Sequence, residues 1–138
     1  FLLVIVLLFL SIRPYKNEMP FFYRLWVYHP FLVYLGWISV ATIANVTALL
    51  VGIGWQGEPL SAPAWSIIMI LIALLLGIFM VGRQKQPAFG FVLSWAFLGI
   101  YAKQYSESWA VGTTAGAAAC FILSLTLTIL FKFKKAVN

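Results

Sequence analysis

Phe31–Gly54 reads FLVYLGWISVATIANVTALLVGIG and contains no charged residue. An α-helix needs roughly 20 apolar residues to cross the hydrocarbon core of a bilayer, so this stretch is long enough. A helix of a soluble protein keeps a polar face toward water, whereas this stretch is apolar on all sides. The segment therefore predicts a helix that crosses a membrane.

The whole chain has the same apolar character. Its 138 residues are 64% hydrophobic and 9% charged, and their mean hydropathy is +1.02. Soluble domains are about 45–50% apolar and about 25% charged, so the composition excludes that class, and it also excludes a disordered chain. With one cysteine and one histidine, the chain has no disulfide framework, cysteine-rich metal site or multi-histidine centre of its own.

We expect an all-α fold, a polytopic transmembrane helix bundle with about five spans in a single domain over residues 1–138. The chain opens inside a short apolar run without methionine, so we expect N-terminal residues to be missing and the first span to be truncated. Pro14, Pro20 and Pro30 predict helix breaks in the connector before the second span. The expected spans are approximately 1–12, 31–54, 64–82, 88–103 and 109–132.

The basic residues predict the orientation of the chain. Successive connectors between the expected spans lie on alternate sides of the membrane. This alternation places Lys103 on one side and all other lysines and arginines on the opposite side. Because lysine and arginine concentrate in cytoplasmic loops, the other side is cytoplasmic and holds the C-terminus. We expect the protein to lie in a bacterial inner membrane or its organellar equivalent. Its expected partner is the lipid bilayer, and we expect no binding to nucleic acid. The residues on the cytoplasmic side are Arg13, Lys16, Arg24, Arg83, Lys85, Lys132, Lys134 and Lys135.

Tryptophans mark the depth of the spans. Four of them fall at predicted span ends, where indole rings favour the headgroup layer. Trp37 and Trp95 lie inside spans instead, and we expect both to point inward, because a buried indole N–H seeks a hydrogen-bond partner. The four at span ends are Trp26, Trp55, Trp65 and Trp109.

Small and polar residues recur every third position in the second span, at Gly36, Ser39, Thr42 and Asn45. Such stripes are typical of helix-packing faces, because small side chains let two backbones approach closely. Asn45 is the most costly of these groups at membrane depth, since its amide has four hydrogen-bonding positions to satisfy. It either forms a hydrogen bond between helices or contacts a ligand.

The fourth span places Trp95, Gly99 and Lys103 four residues apart, so the three share one face of a helix. A flat ring beside a glycine gap and below a cation could cradle an aromatic or anionic ligand. The alternative is structural: Gly99 receives a neighbouring helix, and Lys103 extends its charge to the headgroups.

In the last span, Gly112 and Gly116 form a GxxxG pattern that Cys120 extends by four residues. This pattern predicts close helix packing, either within the chain or against a second subunit or another copy. Cys120, among alanines, reads as an inert small hydrophobe.

His29, before Pro30, is either an ordinary interfacial residue or an axial ligand to a chlorophyll or haem, which needs only one imidazole. Glu18, Glu58 and Glu107 lie in predicted loops and do not pair along a helix. The sequence contains no nucleophile–base arrangement, paired carboxylates, phosphate loop or metal motif, so we expect no enzyme.

The segments VYLGWISVATIANVTALL (33–50) and FVLSWAFLGIYAKQ (91–104) resemble the bacterial tryptophan-rich sensory proteins of the TspO/MBR family, the relatives of the peripheral benzodiazepine receptor. The resemblance implies a five-span bundle with a cytoplasmic C-terminus. It also implies binding of porphyrins, sterols or other hydrophobic aromatic ligands in signalling or transport. Its most distinctive positions are Gly36, Trp37, Asn45, Trp95 and Gly99.

Three functions follow from these observations. The first is a sensor or carrier that binds a hydrophobic or tetrapyrrole ligand among the second, fourth and last spans. The second is a non-catalytic accessory subunit of a photosynthetic or respiratory complex, in contact with pigment, so the candidate cofactors are porphyrin, chlorophyll and carotenoid. The third, a transporter, is disfavoured because the spans carry no embedded carboxylate or arginine. The candidate ligand residues are Trp37, Asn45, Trp95, Gly99 and Lys103.

Overall fold

The computed structural model describes residues 2–12, 14–15, 18–54 and 61–137, and within this part of the chain all regular structure is helical. The predicted residues Arg13, Lys16, Trp55 and Glu58 lie outside the described residues, and so do the side chains of Lys134 and Lys135. The helices are α1 (Leu2–Ile12), α2 (Phe21–Tyr23, Arg24–Tyr28 and His29–Gly52 in one run), α3 (Ala62–Ile78, continued by Phe79–Arg83), α4 (Pro87–Gln104) and α5 (Trp109–Val137).

Helix α2 begins ten residues before the predicted span and contains Pro30, so the predicted break at this proline is wrong. A proline inside a helix lacks an N–H, and its ring meets the carbonyl four residues earlier. The stretch Arg24–Tyr28, which ends two residues before Pro30, is a wider π-helical turn in which the His29 N–H donates to Arg24 O. This local widening accommodates the proline without ending the helix.

Among the described residues, three helical segments are long and apolar enough to cross a membrane: Phe21–Val46, Ala62–Arg83 and Trp109–Lys132. Helix α1 is apolar but shorter. Helix α4 has 18 residues, roughly 27 Å at about 1.5 Å per residue, which is close to the thickness of a hydrocarbon core. These helices confirm the predicted all-α membrane bundle. That α1 and α4 also cross, which gives five spans with a cytoplasmic C-terminus, stays a prediction.

The tightest packing lies where α3, α4 and α5 meet. A Cβ at Gly77 of α3 would lie 2.5 Å from Leu93 Cδ1 and 3.0 Å from Ile122 Cδ1. Leu93 on α4 and Ile122 on α5 are both fully buried. The absence of a side chain at Gly77 therefore lets the three helices share one apolar core, onto which α2 packs along α4.

The Gly112–Gly116 face packs against the last turn of α4 and against Tyr105, which follows α4 in the same chain. A Cβ at Gly112 would lie 2.7 Å from Tyr105 Cα, and one at Gly116 would lie 3.1 Å from the ring of Tyr101. Both glycines therefore pack within the chain, which is one of the two alternatives that the pattern left open.

Cys120 does not continue this packing face, because it is exposed. Each step of four residues advances 400° around a helix, so positions 112, 116 and 120 drift by about 40° per step. The buried side of α5 instead continues through Ala115, Ala119 and Ile122. Cys120 therefore does not pack within the chain, and its packing against a second subunit or another copy stays a prediction.

Candidate ligand-binding groove

Helices α2 and α4 run in the same direction and approach closely at Gly36. A Cβ there would lie 3.2 Å from Val92 Cβ and 3.4 Å from Phe89 Cδ2. Ser39 is buried one turn later, where its hydroxyl donates to Leu35 O at 2.7 Å. Small residues on α2 thus set the distance between the two helices, and larger residues beside them form the walls of a groove on the outer side.

The groove consists of two adjoining pockets that share Trp37 and Trp95. The pocket nearer the start of both helices has a volume of about 850 Å³ and is lined by His29, Val33 and Phe91 besides the two tryptophans. The second pocket, of about 380 Å³, continues along α4 past Gly99 to Lys103. We call the two pockets together the α2–α4 groove.

Four of the five predicted ligand residues border this groove: Trp37, Trp95, Gly99 and Lys103. Both tryptophans are exposed, Trp37 by 55% and Trp95 by 74%, so the expectation that they point into the bundle is wrong. At this level of the bundle the residues that face the core are Gly36 on α2 and Leu93 and Ser94 on α4. Trp37 lies about 100° around its helix from Gly36, and Trp95 about 100° from Ser94, so both indoles are on the outer surface.

Gly99 leaves an open gap in the groove wall. A Cβ at this position would meet no atom within 4 Å, so Gly99 does not receive a neighbouring helix. This finding removes the structural alternative for Gly99 and leaves free space between Trp95 and Lys103.

Lys103 closes the far end of the groove. Its Nζ lies 2.8 Å from Glu107 Oε1, and both side chains are largely exposed. Because solvent screens an exposed ion pair, the pair adds little to stability. The ammonium group is therefore held near the groove by a weak partner that an anionic ligand could replace.

His29 lies at the opposite end of the groove, half-buried, with Nδ1 2.6 Å from Arg24 O. A carbonyl oxygen only accepts hydrogen bonds, so Nδ1 carries the proton in this contact. In a neutral imidazole the lone pair then lies on Nε2, which is the arrangement found in metal-ligating histidines.

Comparison with known proteins agrees with this architecture. The model of the family described as TSPO-like protein matches residues 1–129. The chain belongs to the TSPO-like protein family. No curated protein and no solved structure matches it. The family match extends the resemblance seen at residues 33–104 to include α1 and most of α5.

Asn45 of this TSPO-like chain lies outside the groove, and its side chain is exposed. The prediction placed it near the middle of a span that begins at Phe31. Because α2 begins at Phe21 and ends at Gly52, Asn45 falls in the last third of the helix. The predicted stripe also turns away from the packing face, because a spacing of three residues drifts by about 60° per step around a helix. Thr42 is already only half-buried, and its hydroxyl donates to Ile38 O.

Sequence reasoning missed Val33 and Phe91, which line the groove in this TSPO-like protein. The signal was present as two rows at four-residue spacing. The row on α4 extends backward from the predicted residues to Phe91, and the row on α2 runs from His29 through Val33 to Trp37. Only the helix pairing shows that the two rows face each other.

Proposed function

We propose that this integral membrane TSPO-like protein binds a flat hydrophobic ligand of the tetrapyrrole type in the α2–α4 groove, in a sensory or carrier role without catalysis. The observation that carries the proposal is the convergence of Trp37, Trp95, Gly99 and Lys103 on one groove. In this proposal the chain forms a single transmembrane domain, in a bacterial inner membrane or its organellar equivalent.

The chemistry of the groove matches the chemistry of such a ligand. Indole rings of Trp37 and Trp95 offer large apolar surfaces on which a conjugated ring system can pack. The gap at Gly99 admits the edge of a macrocycle, since no atom lies within 4 Å of its missing Cβ. Lys103 supplies a cation for an acidic substituent at one end.

The groove also fits a metal-containing tetrapyrrole. His29 borders the same pocket as Trp37 and Trp95, and its hydrogen bond to Arg24 O leaves Nε2 as the free electron-pair donor. The bound macrocycle would supply the light absorption or redox chemistry of a pigment or haem. The chain itself would orient it through His29 and exclude water through the two indoles.

Binding of metal-free protoporphyrin to the full chain in lipid nanodiscs tests this proposal. Titrations read from the porphyrin absorption band should show about tenfold weaker binding for Trp95→Leu and Trp37→Leu, because each removes an aromatic contact surface. Trp109→Leu is the matched control, since Trp109 is exposed like the two groove tryptophans but does not line the groove. Equal affinity in all three variants would contradict the groove assignment.

The second function, an accessory subunit of a larger complex, gains no support from the structure. One sequence feature that suits this role is the close-packing Gly112–Gly116 face, and its two glycines pack against Tyr105 and Tyr101 in the same chain. Size on a native gel distinguishes the two functions: a small species that binds porphyrin supports the proposal, and a large pigmented complex supports the accessory role.

A further inference from the structure

Two turns of π-helix lie at the end of the bundle where α2 begins and α3 ends, at Arg24–Tyr28 and at Phe79–Arg83. A π-helical turn closes its hydrogen bonds over five residues instead of four, and such turns are frequent at functional sites. The first turn lies directly before His29, which borders the α2–α4 groove. This turn therefore bears directly on the geometry of the groove.

The first π-helical turn explains how the His29 side chain is held. The backbone N–H of His29 donates to Arg24 O, and Nδ1 donates to the same oxygen at 2.6 Å. In a regular α-helix this N–H would donate to Leu25 O, and Arg24 O would accept from the N–H of Tyr28. The imidazole therefore depends on the π-helical turn for its bond to Arg24 O, and this bond keeps the proton on Nδ1.

Tyr28, the last residue of that turn, connects it to the loop before α4. Its hydroxyl accepts a hydrogen bond from Gln86 Nε2 at 2.9 Å, and both residues are almost fully buried. Its ring meets the imidazole of His29 edge-on, with the ring centres 6.1 Å apart and the planes at 90°. Tyr28 thus contacts the loop on one side and the groove histidine on the other, and it does not line the groove itself.

Gln86 is held in place by the backbone around it. Its N–H donates to Met80 O in the second π-helical turn at 3.1 Å, and Pro87 begins α4 directly after it. Lys85 has a φ of 55°, in the left-handed region that residues with a Cβ rarely adopt. Such a conformation persists where the surrounding structure determines it. The amide of Gln86 therefore reaches Tyr28 from a fixed position.

We propose that Tyr28 and Gln86 are positioning residues for His29. The hydrogen bond between them holds the π-helical turn, and the turn holds the imidazole with Nε2 available to a metal centre in the groove. This inference rests on the proposed function, because it concerns how His29 serves that site. It predicts that substitutions outside the groove weaken binding of a metal-containing macrocycle and leave binding of the same macrocycle without metal unchanged.

The His29 tautomer in the ligand-free protein provides the first test. The chain has one histidine, so isotopically labelled histidine in the full chain in nanodiscs reports on His29 alone. At alkaline pH, where an imidazole is neutral, the nitrogen chemical shifts of the wild type should place the proton on Nδ1. Tyr28→Phe and Gln86→Leu should each shift the population toward the tautomer with the proton on Nε2. An unchanged tautomer in both variants overturns the proposal.

Tyr23→Phe is the matched control for this measurement. It removes a hydroxyl from the same helix, but Tyr23 is exposed and lines neither pocket of the groove. Its tautomer should be that of the wild type. The same shift in Tyr23→Phe as in Tyr28→Phe overturns the proposal, because the contact with Gln86 would then be irrelevant.

Titration with ferric haem provides the second test. The affinity should fall about tenfold in Tyr28→Phe and in Gln86→Leu, the loss typical when a group that orients a metal-binding histidine is removed. The affinity for metal-free protoporphyrin should stay the same. Equal losses for both pigments overturn the proposal, because they would show a general distortion of the groove. If the wild type and His29→Ala bind haem identically, the proposed metal ligand is wrong, and the tautomer still decides whether Tyr28 and Gln86 orient His29.

A double variant separates positioning from folding stability. Tyr28→Phe combined with Gln86→Leu leaves no unpaired amide at this place in the core, so the unfolding temperature should recover toward that of the wild type. The tautomer and the haem absorption band should stay those of the single variants, because the hydrogen bond is still missing. Recovery of the tautomer together with the unfolding temperature overturns the proposal and assigns the effect to packing alone.

Discussion

Thr126 Oγ1 occupies the space that a Cβ at Gly90 would fill, so α4 and α5 meet there with no room for a side chain. The Thr126 hydroxyl donates to Ile122 O at 2.7 Å, which satisfies the polar group inside the core. Val81 of α3 closes the site from the third side, with Cγ2 2.7 Å from the same missing Cβ. This contact fixes the relative positions of the three helices that support the groove.

Gly90→Ala should therefore destabilise the protein. The added methyl overlaps Thr126 and Val81, both of which are held by packed helices, and overpacking of this kind costs about 1–3 kcal/mol. A lowered unfolding temperature in detergent, followed by circular dichroism, checks this expectation.

Gly99→Ala is the matched control on the same helix. No atom lies within 4 Å of its missing Cβ, so the substitution adds no overlap. Alanine is favoured over glycine in a helix by about 1 kcal/mol, so stability should stay the same or rise. An equal loss of stability in the two variants would show that helix position, rather than contact with Thr126, determines the effect.

The helical class and the close-packing role of Gly36 and Gly112 were predictable from the sequence, because composition and small-residue spacing act locally. The outward orientation of the Trp37 side chain could not be predicted from the sequence. A tryptophan inside an apolar span satisfies the same local pattern whether it faces the core or the lipid. Only the identity of the neighbouring helix decides between them, and here Gly36 rather than Trp37 meets α4.

Tyr28 and Gln86 form a polar contact in the core at the other end of the groove helices. Gln86 Nε2 donates to Tyr28 Oη at 2.9 Å, and the two residues are only 2% and 1% exposed. The two residues are 58 positions apart, so no local sequence pattern predicts that they form a hydrogen bond. Tyr28→Phe should cost about 1–3 kcal/mol, because it leaves a buried amide without this acceptor.

A double-mutant cycle separates this hydrogen bond from general packing. Adding Gln86→Leu to Tyr28→Phe removes the orphaned amide, so the double variant should be less destabilised than the sum of the single variants. Unfolding temperatures of the four proteins in one detergent give the comparison. Strictly additive losses would show that the two side chains act independently.

His29→Ala should distinguish metal-containing from metal-free tetrapyrroles. If Nε2 binds the metal, the variant loses affinity for haem and its haem absorption band shifts, because a nitrogen ligand is lost. Binding of metal-free protoporphyrin should change little, since Trp37 and Trp95 are still present. Parallel titrations of both pigments with the wild type and the variant measure the difference. The same loss for both pigments would mean that His29 contributes only shape to the groove.

Substitutions of Lys103 and Glu107 should change the affinity for an acidic ligand in opposite directions. Lys103→Gln removes the cation at the end of the groove, so the affinity for a porphyrin dicarboxylate should fall severalfold. Glu107→Gln removes the carboxylate that lies 2.8 Å from Lys103 Nζ, so the same affinity should rise. Both residues are exposed, and the unfolding temperature should hardly change in either variant.

The dimethyl ester of the same porphyrin provides the control, because it keeps the macrocycle and has no charge. Its affinity should be the same in the wild type, Lys103→Gln and Glu107→Gln, since only the acid can replace Glu107 as the partner of Lys103. Raising the salt concentration should weaken binding of the acid to the wild type and leave the ester unaffected. If the ester follows the acid in both variants, the charge of Lys103 does not orient the ligand, and the groove binds through its apolar walls alone.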